Sequence, residues 1–260
     1  MAAIASFRSE DHLIAHNHCC GHAYRFHGDI LSLKIAKAIL WYNAFLLEVS
    51  KMNKSTQIRQ LTLAAFFIAL QVVMTLTPIG YIPIGAINVT TMHIPVILAG
   101  IFLGTKYGAL IGFVFGLTSM LRATFSPGVT SFLFSPFITV GGISGNFASL
   151  IIVFGPRILL GWLSGKMFRM LRKKTGNLTA CAISAAVNTM IHTLLVMGLI
   201  YIFFAPKYAL ALGVETAAVT GIILGVITTN GIAETILAAI VVPALDKALW
   251  PTIRRMRLGE

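Results

Sequence analysis

Beyond residue 60 the chain is an alternation of long apolar runs with short polar or Pro/Gly-rich breaks. The runs cover residues 61–76, 94–103, 107–121, about 154–171, 178–204 and 217–249. Several fall short of the roughly 20 residues of a simple bilayer crossing, which predicts tilt, local thinning or irregular ends. The second run follows TPIGYIPIGAINVTTMHIP, and its helix is expected to begin inside that stretch. The composition turns these runs into membrane spans: 57% of the residues are apolar, 11% are charged and the mean hydropathy is +0.86. Soluble domains carry about a quarter charged residues, so apolar surface on this scale belongs in a bilayer. The pattern predicts an all-α integral membrane protein, a six-helix bundle.

The net charge of +12 can point to nucleic acid or to the cytoplasmic face of a membrane, and its distribution separates the two. Lys54 and Arg59 precede the first run, Lys106 lies between the second and third, and Arg169, Arg172, Lys173 and Lys174 lie between the fourth and fifth. Arg254, Arg255 and Arg257 follow the sixth. All four groups can share one side, the cytoplasmic one, if two crossings lie between Lys106 and the 169–174 cluster. Four crossings would need about 80 residues. Residues 123–153 are therefore expected to form a long outer loop between helices three and four, a partly buried cap, because irregular backbone at membrane depth survives only against protein or a wet cavity. Both termini are then cytoplasmic, in a multi-pass protein of the cell membrane, and nucleic acid is not needed to explain the charge.

The first fifty residues differ in kind. His12, His16, His18, His22 and His27 cluster there with Cys19 and Cys20, donors that would suit zinc or copper. Met52, however, is followed by Asn53, Lys54, Ser55 and Thr56, a short polar basic run leading into apolar sequence. Residues 1–51 are accordingly expected to be an N-terminal extension, disordered or the product of an over-extended start site, ahead of a membrane domain at 52–260. The apolar patch at 38–49 carries Asn43 and Glu48 and is too short to cross a bilayer. Three cysteines without spacing repeat support neither a disulfide framework nor a paired-CxxC zinc site, and no metal or cofactor is expected.

Candidate chemistry comes from polar side chains inside spans, which are costly unless partnered or facing a cavity. Asn188 and His192 in the fifth span, and Asn230 and Glu234 in the sixth, stand four apart and near mid-span, each pair on one helical face. Facing helices would set two amides, an imidazole and a carboxylate around one point; the alternative is a polar clamp between helices. Arg122 and Arg157 flank the outer loop, where a planar guanidinium suits a carboxylate or phosphate or snorkels to the headgroups. His93, preceded by Asn88, Thr90 and Thr91, enters the second span from the outer side. Small residues four apart, Ala65 and Ala69, Gly108, Gly112 and Gly116, and Gly161 and Gly165, permit close helix approach, within the chain or to another protein. There is no Walker A, HExxH or nucleophile-elbow motif, and the acids after residue 51 are Glu215, Glu234, Asp246 and Glu260.

The segments INVTTMHIPVILAGIFLGTKYGALIGFVFGLTS, SFLFSPF, PRILLGWLSGKMFRML, NTMIHTLLVMG and NGIAETILAAIVVPAL resemble the vitamin-binding S components of energy-coupling factor (ECF) transporters, most closely the pantothenate type. The likeness covers about residues 56–250. It implies six helices with both ends cytoplasmic, and a non-catalytic subunit that binds a vitamin in its outer half. It also implies partners, a transmembrane coupling subunit and two cytoplasmic ATPases. Ala65 and Ala69 match the family's A-x-x-x-A docking stripe, and Gly108, Gly112 and Gly116 stand where the third-helix stripe would be. The substrate-binding set is then Asn88, His93, Arg122, Arg157, Asn188, His192, Asn230 and Glu234, with an arginine for the acid and the remaining groups for hydroxyls and amide. Glu234 is expected to be paired, with His192 as one partner, or turned from the carboxylate. Competing readings are an S component for folate, riboflavin or a cobalamin-like ligand, an intramembrane enzyme using His192 and Glu234, and a membrane scaffold.

Overall fold

A computed structural model describes residues 54–77, 80–84 and 87–255. The His/Cys cluster, the 38–49 patch and Arg257 lie outside the described residues. The described residues open with α1 (Lys54–Leu76) and an antiparallel hairpin, β1 (Tyr81–Ile84) with β2 (Ile87–Thr90), followed by α2 (His93–Leu103) and α3 (Thr105–Phe125). A capping segment with a second small hairpin, β3 (Thr139–Val140) and β4 (Ile143–Ser144), leads into α4 (Phe147–Thr175) and α5 (Asn177–Leu212). Then come α6 (Val219–Val226), a π-helical turn (Ile227–Gly231) and α7 (Ile232–Arg255), which continue one another.

This is an all-α membrane protein. Five helical stretches among the described residues are long and apolar enough to cross a bilayer: Gln57–Leu76, Thr105–Phe125, Phe147–Thr175, Asn177–Leu212 and Thr216–Leu249. The second predicted span differs. α2 has 11 residues, all buried, and the stretch before it, expected to begin the helix, is the β1–β2 hairpin. The physical reason is local: Gly80 and Pro83 disfavour helix, and the β-branched residues Ile82, Ile84, Ile87 and Val89 favour extended backbone. Pro95 sits in the first turn of α2, where a missing N–H costs nothing. At the other end Gly104, at φ +90°, breaks the helix and lets α3 leave at once.

The segment between α3 and α4, expected as a long outer loop, is also shorter than expected, 126–146 against 123–153. α3 runs on to Phe125, where Ser126 N–H closes the last turn on Arg122 O and Pro127 disfavours continuation. α4 begins early because Asn146 caps it: Asn146 Oδ1 accepts from Ala148 N (3.0 Å), and Ser149 Oγ reciprocates at Asn146 N (3.3 Å). The loop is a packed cap. Phe132 and Leu133 are buried and form a cluster with Ile143, Ile152, Val196, Ile200 and Phe204, Ser149 Oγ donates to Phe132 O, and Gly141–Gly142, both with positive φ, turn the β3–β4 hairpin.

A second core, built on α2 and extended by Phe67, Phe115, Leu160, Phe168 and Val242, joins α1, α3, α4 and α7. Its tightest seam is backbone on backbone. A Cβ at Gly100 would strike Gly161 O, one at Gly108 would strike Gly161 O, and one at Gly112 would strike Arg157 O. The stripe Gly108, Gly112 and Gly116, expected to dock a partner protein, is thus occupied by α4 of the same chain, through Gly161, Arg157 and Phe154. Ala65 and Ala69 on α1 are exposed, beside exposed Leu61, Phe66 and Val73.

Candidate functional site

A cavity of about 350 Å³ opens between the end of β2, the second half of α3, the cap, α4, mid-α5 and the π turn leading into α7. Its wall includes Arg122, Arg157, His192, Asn230 and Glu234, five of the eight residues expected to bind substrate. Helical spacing explains their convergence. Phe115, Ser119 and Arg122 recur at three- and four-residue intervals on one face of α3, and His192, Val196 and its neighbour Met197 do so on α5. On the last span the π turn holds Asn230 at its end and Glu234 follows in the first turn of α7. Such a widened turn re-aims side chains and recurs at functional sites.

Arg157 is the central cation of this wall. It lies ten residues inside α4, about 15 Å from the helix start at 1.5 Å per residue, and is only 6% exposed. Snorkelling to headgroups is therefore not its role. Its Nη1 donates to Ile152 O and Val153 O, both at 3.0 Å, and its guanidinium lies over the rings of Phe115 (4.9 Å) and Phe134 (5.4 Å). Arg122 is exposed and crosses to α1, with Nη1 donating to Thr75 O at 2.9 Å.

Glu234 is buried, and its Oε1 accepts from both Thr90 N (2.9 Å) and Thr90 Oγ1 (2.7 Å). Its observed partner is the hairpin end, where sequence reasoning looked to His192. His192 stacks on Phe115, and its Nε2 has no hydrogen-bond partner among the described residues; the same holds for Ser119 Oγ on the wall. Buried polar atoms are nearly always satisfied, so a wall bearing two such atoms suits a polar guest.

The remaining three expected residues stand elsewhere. Asn188 is buried against α4, its Nδ2 donating to Ser184 O (2.7 Å) and approaching Met167 Sδ (3.6 Å), and Ser184 Oγ donates to Ser164 O. It takes part in a polar seam between α4 and α5, off the cavity wall. His93 is buried at the start of α2, behind Thr90 and Met92, which do line the cavity. Asn88 lies in β2 opposite Pro83; its side chain is outside the described residues. Sequence reasoning missed Phe115, Ser119, Thr193, Phe134, Thr130 and Ser131. The helical period back from Arg122 would have reached Ser119 and Phe115, whereas nothing in the loop sequence distinguishes Thr130, Ser131 or Phe134 from the rest of the cap.

A desolvated guanidinium, an imidazole, an amide and a tethered carboxylate around a cavity inside an apolar helix bundle make this a membrane-embedded receptor for a small polar molecule. The chain belongs to the substrate-specific components of ECF transporters, whose family profile matches residues 59–245. It is 35% identical over 202 residues to the pantothenic acid transporter PanT of Lactococcus lactis subsp. cremoris, covering 75% of this chain and 97% of the relative. It is 29% identical over 205 residues to the pantothenate transporter PanT of Leuconostoc mesenteroides, covering 76% and 95%.

Proposed function

We propose that the chain binds pantothenate in the 350 Å³ cavity and delivers it for ATP-driven uptake through a transmembrane coupling subunit and two cytoplasmic ATPases. The observation that carries the reading is the buried Arg157 on the cavity wall, together with relatives named as pantothenate transporters over nearly their whole length. Pantothenate has a carboxylate at one end and two hydroxyls and an amide elsewhere. Arg157, with Arg122 nearer the mouth, suits the carboxylate. Asn230, His192, Ser119 and the free capacity of Glu234 suit the hydroxyls and the amide. Because both Oε1 contacts of Glu234 come from Thr90, its charge is drawn toward the hairpin, which supports a role away from the ligand's acid end.

The cavity lies at the small end of ligand sites, which run roughly 300–1,000 Å³. That favours pantothenate over folate, riboflavin or a corrinoid. The scaffold reading requires all four mid-span polar groups to be spent on holding the fold together. Asn188 sits in the α4–α5 seam and Glu234 Oε1 is tied to the hairpin, whereas His192 and Asn230 stand on the cavity wall, His192 Nε2 with no hydrogen-bond partner among the described residues. In this reading α2 counts as a short sixth crossing, completed by the hairpin before it. The cap and the cavity mouth face outward, and both termini lie in the cytoplasm beside the basic clusters. The exposed α1 face with Ala65 and Ala69 is the docking surface for the coupling subunit, a role the α3 glycines cannot share while α4 covers them.

The test is uptake of labelled pantothenate by cells that express this chain with the coupling subunit and ATPases of an ECF transporter. Accumulation that needs both this chain and ATPase activity supports the reading. Accumulation that is indifferent to this chain, or that is seen equally with folate or riboflavin, refutes it.

A further inference from the structure

Arg157 owes its pose to the residue before it. Pro156 stands inside α4, and a proline has no N–H, so the carbonyl four residues earlier loses its helical donor. That carbonyl is Ile152 O, in a residue with no exposed surface, and an unpaired buried acceptor is costly. The donor that replaces the missing N–H is Arg157 Nη1 at 3.0 Å, shared with Val153 O at the same distance. Helical side chains lean toward the N-terminus, so the residue directly after the proline is well placed to reach back one turn. The rings of Phe115 and Phe134, at 4.9 and 5.4 Å from Cζ, lie within the roughly 6 Å at which a cation is attracted to an aromatic face. Ring contacts and carbonyls together fix both the plane and the rotation of the guanidinium at the cavity wall.

We propose that Pro156 is a positioning residue for acid recognition: by withholding an N–H from Ile152 O it anchors one nitrogen of Arg157, which aims the guanidinium at the ligand's carboxylate. The site is then selective for an acid over the matching neutral alcohol. This rests on the reading that the cavity takes pantothenate. With alanine at 156 the backbone N–H returns to Ile152 O and competes with Arg157 Nη1, so the guanidinium loses one of its two carbonyl contacts and shifts toward Val153 O, while its charge, its ring contacts and the cavity's other groups remain. A residue that serves only to shape α4 would behave differently, since its replacement would change affinity for acid and alcohol alike, or neither.

The experiment is calorimetric titration of the full purified chain with pantothenate and with pantothenol, in which a primary alcohol replaces the carboxylate. Pro156→Ala and Pro156→Ser are compared with wild type, and circular dichroism and elution profile report folding. Wild type is expected to favour the acid. In both variants affinity for pantothenate falls roughly 10- to 100-fold, the range of one hydrogen bond to a charged group, while affinity for pantothenol is unchanged. An acid-to-alcohol ratio equal to wild type in the variants overturns the proposal, as does loss of the folded state in both, which would assign Pro156 to the fold. Wild type that binds neither compound overturns the functional reading and the proposal with it.

Discussion

Replacing Gly112 by alanine adds a single methyl group at a point where α3 and α4 touch through backbone. The new Cβ would fall on the carbonyl of Arg157 and on Ile158 Cα, neither of which can swing aside as a flexible side chain could. Non-bonded heavy atoms sit comfortably at roughly 3.5–4.0 Å, so the two helices must part by on the order of 1 Å. Overpacking of this kind costs about 1–3 kcal/mol. The consequence reaches the ligand because the carbonyl being displaced belongs to Arg157, whose guanidinium is registered against Phe115 on the same helix as Gly112. Gly112→Ala should therefore lower the thermal unfolding midpoint of the isolated protein in detergent and weaken pantothenate binding without any partner present. Gly155, whose Cβ would meet nothing, supplies the control: Gly155→Ala should do neither. If Gly112→Ala binds and unfolds like wild type and loses only its association with the coupling subunit, the glycine stripe is a docking surface after all and the packing argument fails.

Other variants separate binding, coupling and scaffold. Arg157→Ala should cost roughly 2–5 kcal/mol of pantothenate affinity, as expected for truncating one side of a buried charge pair, while the protein stays inserted; unchanged affinity by calorimetry would move the acid subsite elsewhere. Thr90→Val keeps the shape of the side chain but removes its 2.7 Å hydroxyl donor to Glu234, and should weaken binding by about 1.5–3 kcal/mol if the hairpin orients Glu234 for the ligand. Ala65→Trp or Ala69→Trp should abolish ATP-driven uptake and co-purification with the coupling subunit yet spare binding by the isolated chain; normal uptake would remove the docking claim. Asn177→Ala takes away the 2.6 Å donor to Asp246, a carboxylate with no exposed surface. Asp246 lies about 18 Å along α7 from Glu234. The midpoint of unfolding should fall by an amount worth about 1–3 kcal/mol with ligand affinity intact, and a loss of affinity instead would tie this end of the molecule to the site.

Hydrophobic runs carried the class of fold, because a bilayer demands long apolar helices whatever the tertiary detail. The ends of elements were less legible. The hairpin before α2 and the early start of α4 turn on a few residues, Gly80, Pro83 and the Asn146–Ser149 capping pair, whose effect is masked by apolar neighbours. Within the site, the polar residues of the last span announced themselves through burial cost, and Asn230 and Glu234 do meet on the cavity wall. Asn188 and His192 share a helical face at four-residue spacing, yet that face straddles the α4 seam and the cavity, so one ends as a clamp and the other on the wall. The glycines of α3 were legible as a close-contact stripe, but spacing does not say whose backbone they meet. Arg157 was visible as a cation and invisible as a pinned one, since the part played by Pro156 follows from a hydrogen bond across one helical turn.

The central claim is that Arg157, His192, Asn230 and Glu234 surround a guest-sized cavity and do not merely hold helices together. Mass spectrometry of the small molecule released when the purified protein is denatured tests it most directly, after growth in medium containing pantothenate. One pantothenate per chain is the predicted result, with none released from Arg157→Ala. A well-folded wild-type protein that releases no small molecule, and takes none up when pantothenate is supplied in excess, would contradict it.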